Sequence, residues 1–117
     1  MNILVVDDSA TMRKIVGLTL SGAGHSFTEA DNGLKALEAL KTATFECIIL
    51  DVNMPEMNGI EFLKAHAEGA KKCPIIVLTT QDEEALKNEA LSLGAKAFLI
   101  KPFQKDDLLA AMQLALK

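Results

Sequence analysis

The sequence predicts an α/β fold in which one open, parallel sheet of five strands carries helices on both faces. Five short apolar runs recur along the chain, and each is followed by a segment whose apolar residues show helical spacing. Three of these runs are unbroken stretches rich in Val, Ile and Leu, which is typical of parallel strands covered on both faces. Alternating strands and helices with right-handed crossovers give this architecture. The pattern alone leaves the order of the strands open.

The apolar runs define the five predicted strands. They cover residues 3–6, 26–30, 47–50, 75–78 and 97–100, and the second run is the weakest. Glycines mark the predicted ends of three helices, at positions 22 and 24, at 69 and at 94, because glycine readily adopts the left-handed conformation that stops a helix. The side-chain oxygens of Ser9 and Asp82 are expected to cap the first and fourth helices.

Each predicted helix is recognised by apolar residues three or four positions apart, which fall on one face. The clearest stripes are Met12, Ile15, Val16, Thr19 and Ala23 in the first helix, and Leu108, Leu109, Met112, Ala115 and Leu116 in the last. Three weaker stripes are Leu34, Leu37 and Leu40, then Ile60, Leu63 and Ala67, then Leu86, Ala90 and Leu93. One helix therefore follows each strand.

Length and composition exclude several classes of protein. The chain has 117 residues, 24% charged and 50% apolar, which predicts one globular domain. A net charge of −4 argues against nucleic-acid binding, which normally needs a basic patch. No apolar run is long enough to span a membrane, and the N-terminus lacks the basic start and long apolar core of a signal peptide. We therefore expect a soluble, cytoplasmic protein without a membrane or nucleic-acid partner.

The cysteines and histidines indicate no chemistry of their own. Cys47 and Cys73 show no metal-binding spacing, and we expect buried or incidental thiols. His25 and His66 lie far apart in the sequence, and no role is assigned to them.

Polar residues follow four of the five predicted strands. They are Asp7 and Asp8 after the first strand, Asp51 after the third, Thr79 and Thr80 after the fourth, and Lys101 after the fifth. Each has a simple explanation by itself, as a helix cap, a turn residue or a solvated lysine. Ligands of open α/β sheets bind at the carboxyl ends of the strands, however, so these side chains are expected to share one edge.

Three carboxylates at one edge repel one another, so a compensating cation is expected there. Lys101 is one such cation, and oxygen ligands without Cys or His suit Mg²⁺, with Mn²⁺ as a second choice. A carboxylate beside such a metal can attack phosphorus and form an aspartyl phosphate. Asp51 is the predicted nucleophile, because it ends the central strand whereas Asp7 and Asp8 begin a helix.

Four segments in this order resemble the receiver domains of two-component response regulators. They are residues 5–9 (VVDDS), 49–59 (ILDVNMPEMNG), 77–80 (VLTT) and 99–103 (LIKPF), and residues 11–16 (TMRKIV) are similar to the first helix of single-domain chemotaxis regulators. The resemblance covers the whole chain. It implies a flavodoxin-like fold with strand order 2-1-3-4-5 and five helices, in which residues 1–117 form one receiver domain without an effector domain.

The resemblance also implies roles for the acidic residues. Asp51 matches the phosphoacceptor of the family. Asp8 and Asp51 match its metal-binding carboxylates, Asp7 matches the acid that positions metal or water, and Asn53 matches the residue whose backbone carbonyl binds the metal. The implied cofactor is Mg²⁺.

The remaining matches concern switching. Thr79 and Lys101 correspond to residues that contact the phosphoryl group, and Pro102 to a proline that follows a cis peptide bond. Phe98 corresponds to an aromatic residue that turns inward on activation, and an ordinary core aromatic is the alternative interpretation. Asn53 and Gln81 lie where the family tunes dephosphorylation, and both are uncharged.

The implied function is a switch that accepts a phosphoryl group from a histidine kinase and then binds a target protein. The resemblance to chemotaxis regulators favours a monomer that acts on a flagellar motor switch component, with a protein phosphatase as a further partner. A phosphorelay intermediate or a regulator of another process remains open within the family.

The rival from another class is a phosphatase with an aspartate nucleophile, which Asn53 disfavours because an amide cannot act as acid and base. A flavin carrier, a P-loop protein and a purely structural module fit the motifs less well.

Overall fold

The computed structural model describes residues 2–52, 59–68, 73–79, 84–101 and 103–115. The strands are β1 (Asn2–Val6), β2 (Ser26–Ala30), β3 (Cys47–Asp51), β4 (Ile75–Thr79) and β5 (Ala97–Ile100). The helices are α1 (Ala10–Gly22), α2 (Gly33–Thr42), α3 (Gly59–Glu68), α4 (Glu84–Ser92) and α5 (Lys105–Ala115). All strand pairs are parallel, in the order β2-β1-β3-β4-β5. This confirms the predicted fold class and strand order.

The strand boundaries agree with the apolar runs to within one residue. β3 and β4 each extend by one residue beyond the apolar run, so Asp51 and Thr79 are themselves the last residues of their strands. Of the predicted helix signals, Ser9 caps α1 by accepting a hydrogen bond from the Met12 N–H, and Gly94 has the positive φ of a helix stop. Asp82 and Gly69 lie outside the described residues.

The sheet separates two apolar layers, because alternate side chains of a strand point to opposite faces. Leu4 and Val6 of β1 face the layer that α2, α3 and α4 cover, together with Phe62 and Leu63 of α3. Ile3 and Val5 face the layer that α1 and α5 cover. Every residue of β3 and β4 is buried, and β2 is largely exposed because it is an edge strand. The buried centre explains the unbroken apolar runs of the sequence.

The helical stripe predicted for α1 is correct only in part. Its buried residues are Val16, Gly17 and Leu20, whereas Ile15 is 52% exposed. The helix is turned so that Gly17 packs directly against the ring of Phe27 on β2. A stripe built from apolar residues cannot show this orientation, since the closest contact is made by a glycine.

We expect Gly17→Ala to lower the free energy of unfolding by about 1–2 kcal/mol, since the new methyl group would overlap the Phe27 ring and overpacking outweighs the gain in helix propensity. The matched control is Gly22→Ala in the same helix, where a Cβ meets no atom within 4 Å, so stability should stay constant or rise. Urea unfolding measures both. Equal effects of the two substitutions would contradict the packing contact.

Both cysteines are free thiols. Burial raises the pKa of the Cys47 thiol to about 12, and burial together with nearby Glu46 raises the pKa of the Cys73 thiol to about 11. Both are therefore protonated and poorly nucleophilic at neutral pH. Among the residues that the structure describes, no helix combines the length and apolar character needed to cross a membrane.

Candidate functional site

Four strands bring polar side chains to the carboxyl edge of the sheet, as the sequence predicts. In the strand register, Asp51 of β3 lies beside Leu78 of β4, and Leu78 is the residue that precedes Thr79. The main-chain N–H of Lys101 donates to the carbonyl of Thr79 at 2.7 Å, so the chain that leaves β5 is tied to the end of β4. Asp7 directly follows β1, and β1 pairs with β3, the strand that ends at Asp51. The parallel register therefore places these residues at one edge.

The three acids form a cluster at this edge. One oxygen atom from each of the Asp7, Asp8 and Asp51 carboxylates lies within 4.8 Å of the other two. Asp7 is 1% exposed and Asp51 is 4% exposed, whereas Asp8 is open to solvent. The cluster thus has two buried carboxylates and one accessible carboxylate at its entrance.

Lys101 supplies the compensating cation that was expected at this edge. Its ammonium lies 3.1 Å from Asp7 Oδ2 and 3.5 Å from Asp51 Oδ2. The Lys101 side chain is only 12% exposed, so solvent screens these interactions less than it screens a surface ion pair. The lysine bridges the two buried carboxylates.

Asp7 and Asp8 differ in how they are held. The N–H of Asp7 donates to the Ala30 carbonyl at 3.1 Å, and its carboxylate accepts from the Ser9 N–H at 2.9 Å as well as from Lys101. The Asp8 carboxylate makes no hydrogen bond or ion pair to any residue within the described ranges. The position of the Asp7 carboxylate is therefore fixed by these contacts, whereas the oxygens of Asp8 are available for a ligand.

The donor set suits a hard divalent cation. All three candidate ligands are carboxylates, the type that Mg²⁺ prefers over softer metals. The oxygens of Asp7, Asp8 and Asp51 lie within 4.8 Å of one another, so the cluster is compatible with one cation of the kind that the sequence predicts.

Thr79 lies on the strand beside Asp51, and Phe98 lies on the next strand, β5. Thr79 is fully buried at the end of β4. Phe98 is half-buried on β5, in register with Val77, and packs against the apolar layer under α4. Three other candidate residues, Asn53, Gln81 and Pro102, lie outside the described residues.

One polar contact beside the cluster was not predicted from the sequence. Arg13 on α1 donates from Nη1 to the main-chain carbonyl of Asp7 at 2.6 Å and from Nε to Glu29 at 3.0 Å. Two features of the sequence could have indicated this contact. Arg13 is a basic residue in the first turn of the helix that follows the acidic pair, and Glu29 is an acid near the end of the adjacent edge strand. Helical periodicity alone does not reveal such a contact.

Comparisons with known proteins agree with this geometry. The family model of the response regulator receiver domain matches residues 3–113. Transcriptional regulatory protein FixJ of Bradyrhizobium diazoefficiens is 38% identical over 116 residues, and the match covers 99% of this chain but only 57% of that relative. Chemotaxis protein CheY1 of Helicobacter pylori is 39% identical over 120 residues, which cover 99% of this chain and 97% of the relative. The structure of Vibrio cholerae chemotaxis protein CheY4 superimposes with a TM-score of 0.90 at 41% identity and 98% coverage of each chain.

Proposed function

The chain belongs to the response regulator receiver domain family, and on that basis we propose that it is a signalling switch which accepts a phosphoryl group from a histidine kinase. The observation that carries the proposal is the cluster of three carboxylates with a lysine between its two buried members. Charge of both signs at the carboxyl edge of the sheet is what phosphoryl transfer requires, since that reaction depends mainly on positioning and charge neutralisation.

Asp51 is the proposed phosphoacceptor. Its carboxylate ends the central strand and is almost fully buried, so its position is set by the sheet. One carboxylate oxygen attacks phosphorus, the new O–P bond forms, and the P–N bond to the histidine of the donor breaks with its electron pair leaving on nitrogen. The product is an aspartyl phosphate.

Asp8 and Asp51 are the proposed carboxylate ligands of Mg²⁺; Asp7 would position metal or water, and Asn53 would contribute its backbone carbonyl. The exposure of Asp8 and its lack of partners among the described residues support the first assignment. The two donors that already occupy the Asp7 carboxylate support an indirect role for this acid. When bound, Mg²⁺ neutralises negative charge on the phosphoryl oxygens.

Lys101 and Thr79 are the proposed contacts of the phosphoryl group. Lys101 already faces Asp51 and offers a second positive charge. The Thr79 hydroxyl lies on the neighbouring strand, from which it donates to a phosphoryl oxygen. These new contacts shift the equilibrium between two conformations, and Phe98 turns inward in the active one. The surface of α4, β5 and α5 changes as a result.

The proposed output is binding of a target protein, and the similarity to chemotaxis proteins favours a component of the flagellar motor switch. A phosphorelay partner is the alternative within the family. Pull-down with and without a phosphate mimic separates the two, because a motor target is captured preferentially in the activated state.

Incubation with a small acyl-phosphate donor tests the proposed chemistry. We expect intact-mass spectrometry to show a base-labile gain of one phosphoryl group with Mg²⁺ and no gain with a chelator. No gain from a folded, Mg²⁺-binding protein would overturn the proposal and leave a phosphate-independent interaction module. Rapid release of many phosphates per chain would instead favour the phosphatase.

A further inference from the structure

Arg13 connects three parts of the structure next to the acidic cluster. Its own main-chain N–H makes the first-turn hydrogen bond of α1, to the Ser9 carbonyl at 3.0 Å. Its guanidinium donates to the Asp7 carbonyl and pairs with Glu29 on the edge strand β2. The side chain is only 15% exposed, and Glu29 is 47% exposed. Since the planar guanidinium presents its donors in a fixed fork, the two contacts set its orientation together.

The carbonyl that Arg13 holds belongs to the peptide that joins Asp7 to Asp8. The Asp7 side chain has fixed partners of its own, the Ser9 N–H and Lys101. The Asp8 carboxylate has none among the described residues, so its position depends on its backbone. A hydrogen bond that fixes the plane of the Asp7–Asp8 peptide therefore acts mainly on Asp8.

We propose that Arg13 is a positioning residue of the acidic site, which fixes the Asp7–Asp8 peptide and so aims the Asp8 carboxylate at the cation. This inference rests on the proposed function, because it requires Mg²⁺ at the cluster. Glu29 orients Arg13 from the edge strand, so β2 contributes to the site without supplying a ligand.

Charge and position make opposite predictions for this residue. If Arg13 acted only through its positive charge, removing it would relieve repulsion of the incoming cation and tighten Mg²⁺ binding. If Arg13 positions Asp8, removing it weakens Mg²⁺ binding, as loss of a residue that orients a ligand commonly does. The direction of the change in Kd therefore separates the two roles.

The test is calorimetric titration of Mg²⁺ into the wild type, Arg13→Ala, Arg13→Lys and Lys14→Ala, with no phosphate donor present. We expect both Arg13 variants to bind Mg²⁺ about tenfold more weakly. Arg13→Lys keeps the charge but loses the fork that reaches both acceptors. Lys14 is the matched control, because it is the adjacent cation of α1 and is exposed, so its removal should leave Kd within about twofold.

A second readout needs no metal. Hydrogen exchange of the Ser9 amide should accelerate in Arg13→Ala, because the turn that presents this amide to Asp7 is loosened. Urea unfolding establishes that each variant is folded under the conditions of the titration. If Arg13→Ala is unfolded, Arg13→Lys alone provides the test. A purely structural role would lower stability and leave the Kd of the folded protein unchanged.

Unchanged or tighter Mg²⁺ binding by both Arg13 variants, with a wild type that binds, would overturn the positioning role and leave the proposed function intact. A folded wild type that binds no Mg²⁺ would overturn the proposed metal site and this inference together. Weaker Mg²⁺ binding by both Arg13 variants, with an unchanged Kd for Lys14→Ala, would support the positioning role of Arg13.

Discussion

Asp51→Asn is expected to abolish phosphoryl uptake completely. Asparagine has nearly the same shape as aspartate, so the end of β3 should keep its structure, but the amide lacks the nucleophilic oxygen that attacks phosphorus. The substitution also removes one of three clustered negative charges, which lowers the repulsion within the cluster. The fold is therefore expected to survive while the reaction is lost, and intact-mass spectrometry after treatment with an acyl-phosphate donor and Mg²⁺ measures the effect.

Asp31→Asn is the matched control for this substitution. Asp31 follows β2 at the same edge of the sheet, but it pairs with Lys35 and lies outside the acidic cluster. Uptake should therefore match that of the wild type. Uptake of a phosphoryl group by folded Asp51→Asn at the wild-type level would assign the nucleophile to another residue.

Lys101→Met is expected to lower the free energy of unfolding of the metal-free protein substantially. Methionine keeps most of the apolar stem but leaves the buried carboxylates of Asp7 and Asp51 without the ammonium between them. Removing one partner from a buried ion pair commonly costs 3–5 kcal/mol, and we expect about 3 kcal/mol because the lysine retains some contact with solvent. Urea unfolding in a chelator measures this loss.

Added Mg²⁺ should restore much of the lost stability, since a cation in the cluster replaces the missing positive charge. The stabilisation by Mg²⁺ should be larger in Lys101→Met than in the wild type, where the ammonium competes with the metal. The control is Lys96→Met, which changes an exposed lysine before β5 and should alter neither stability nor its response to Mg²⁺. An equal response to Mg²⁺ in Lys101→Met and the wild type would show that the ammonium and the metal do not share the site.

The fold could be predicted from the sequence because each layer leaves a distinct pattern. The buried strands β3 and β4 are continuous apolar runs, and a glycine with positive φ closes the turn after α4. Strand order is different, since burial shows which faces of a strand are covered but not which strand lies beside it. The order 2-1-3-4-5 came from the family resemblance and not from periodicity.

The location of the acidic site could also be predicted, because parallel strands deliver their carboxyl ends to one edge. Its internal contacts could not. The shorter Lys101 contact is to Asp7 and not to the proposed nucleophile Asp51, and this preference depends on side-chain packing. The reach of Arg13 to the Asp7 carbonyl depends on the rotation of α1, which the contact between Gly17 and Phe27 sets.

Chemical mapping of the phosphorylated residue tests the assignment of Asp51 as the phosphoacceptor. Borohydride reduces an acyl phosphate to an alcohol, so trapping of the phosphorylated protein converts the modified aspartate to homoserine, which peptide sequencing by mass spectrometry locates. We predict homoserine at position 51 only, and only after treatment with donor and Mg²⁺. Homoserine at position 7 or 8, or a phosphoryl group on a residue that borohydride does not reduce, would contradict the assignment of Asp51 as the phosphoacceptor.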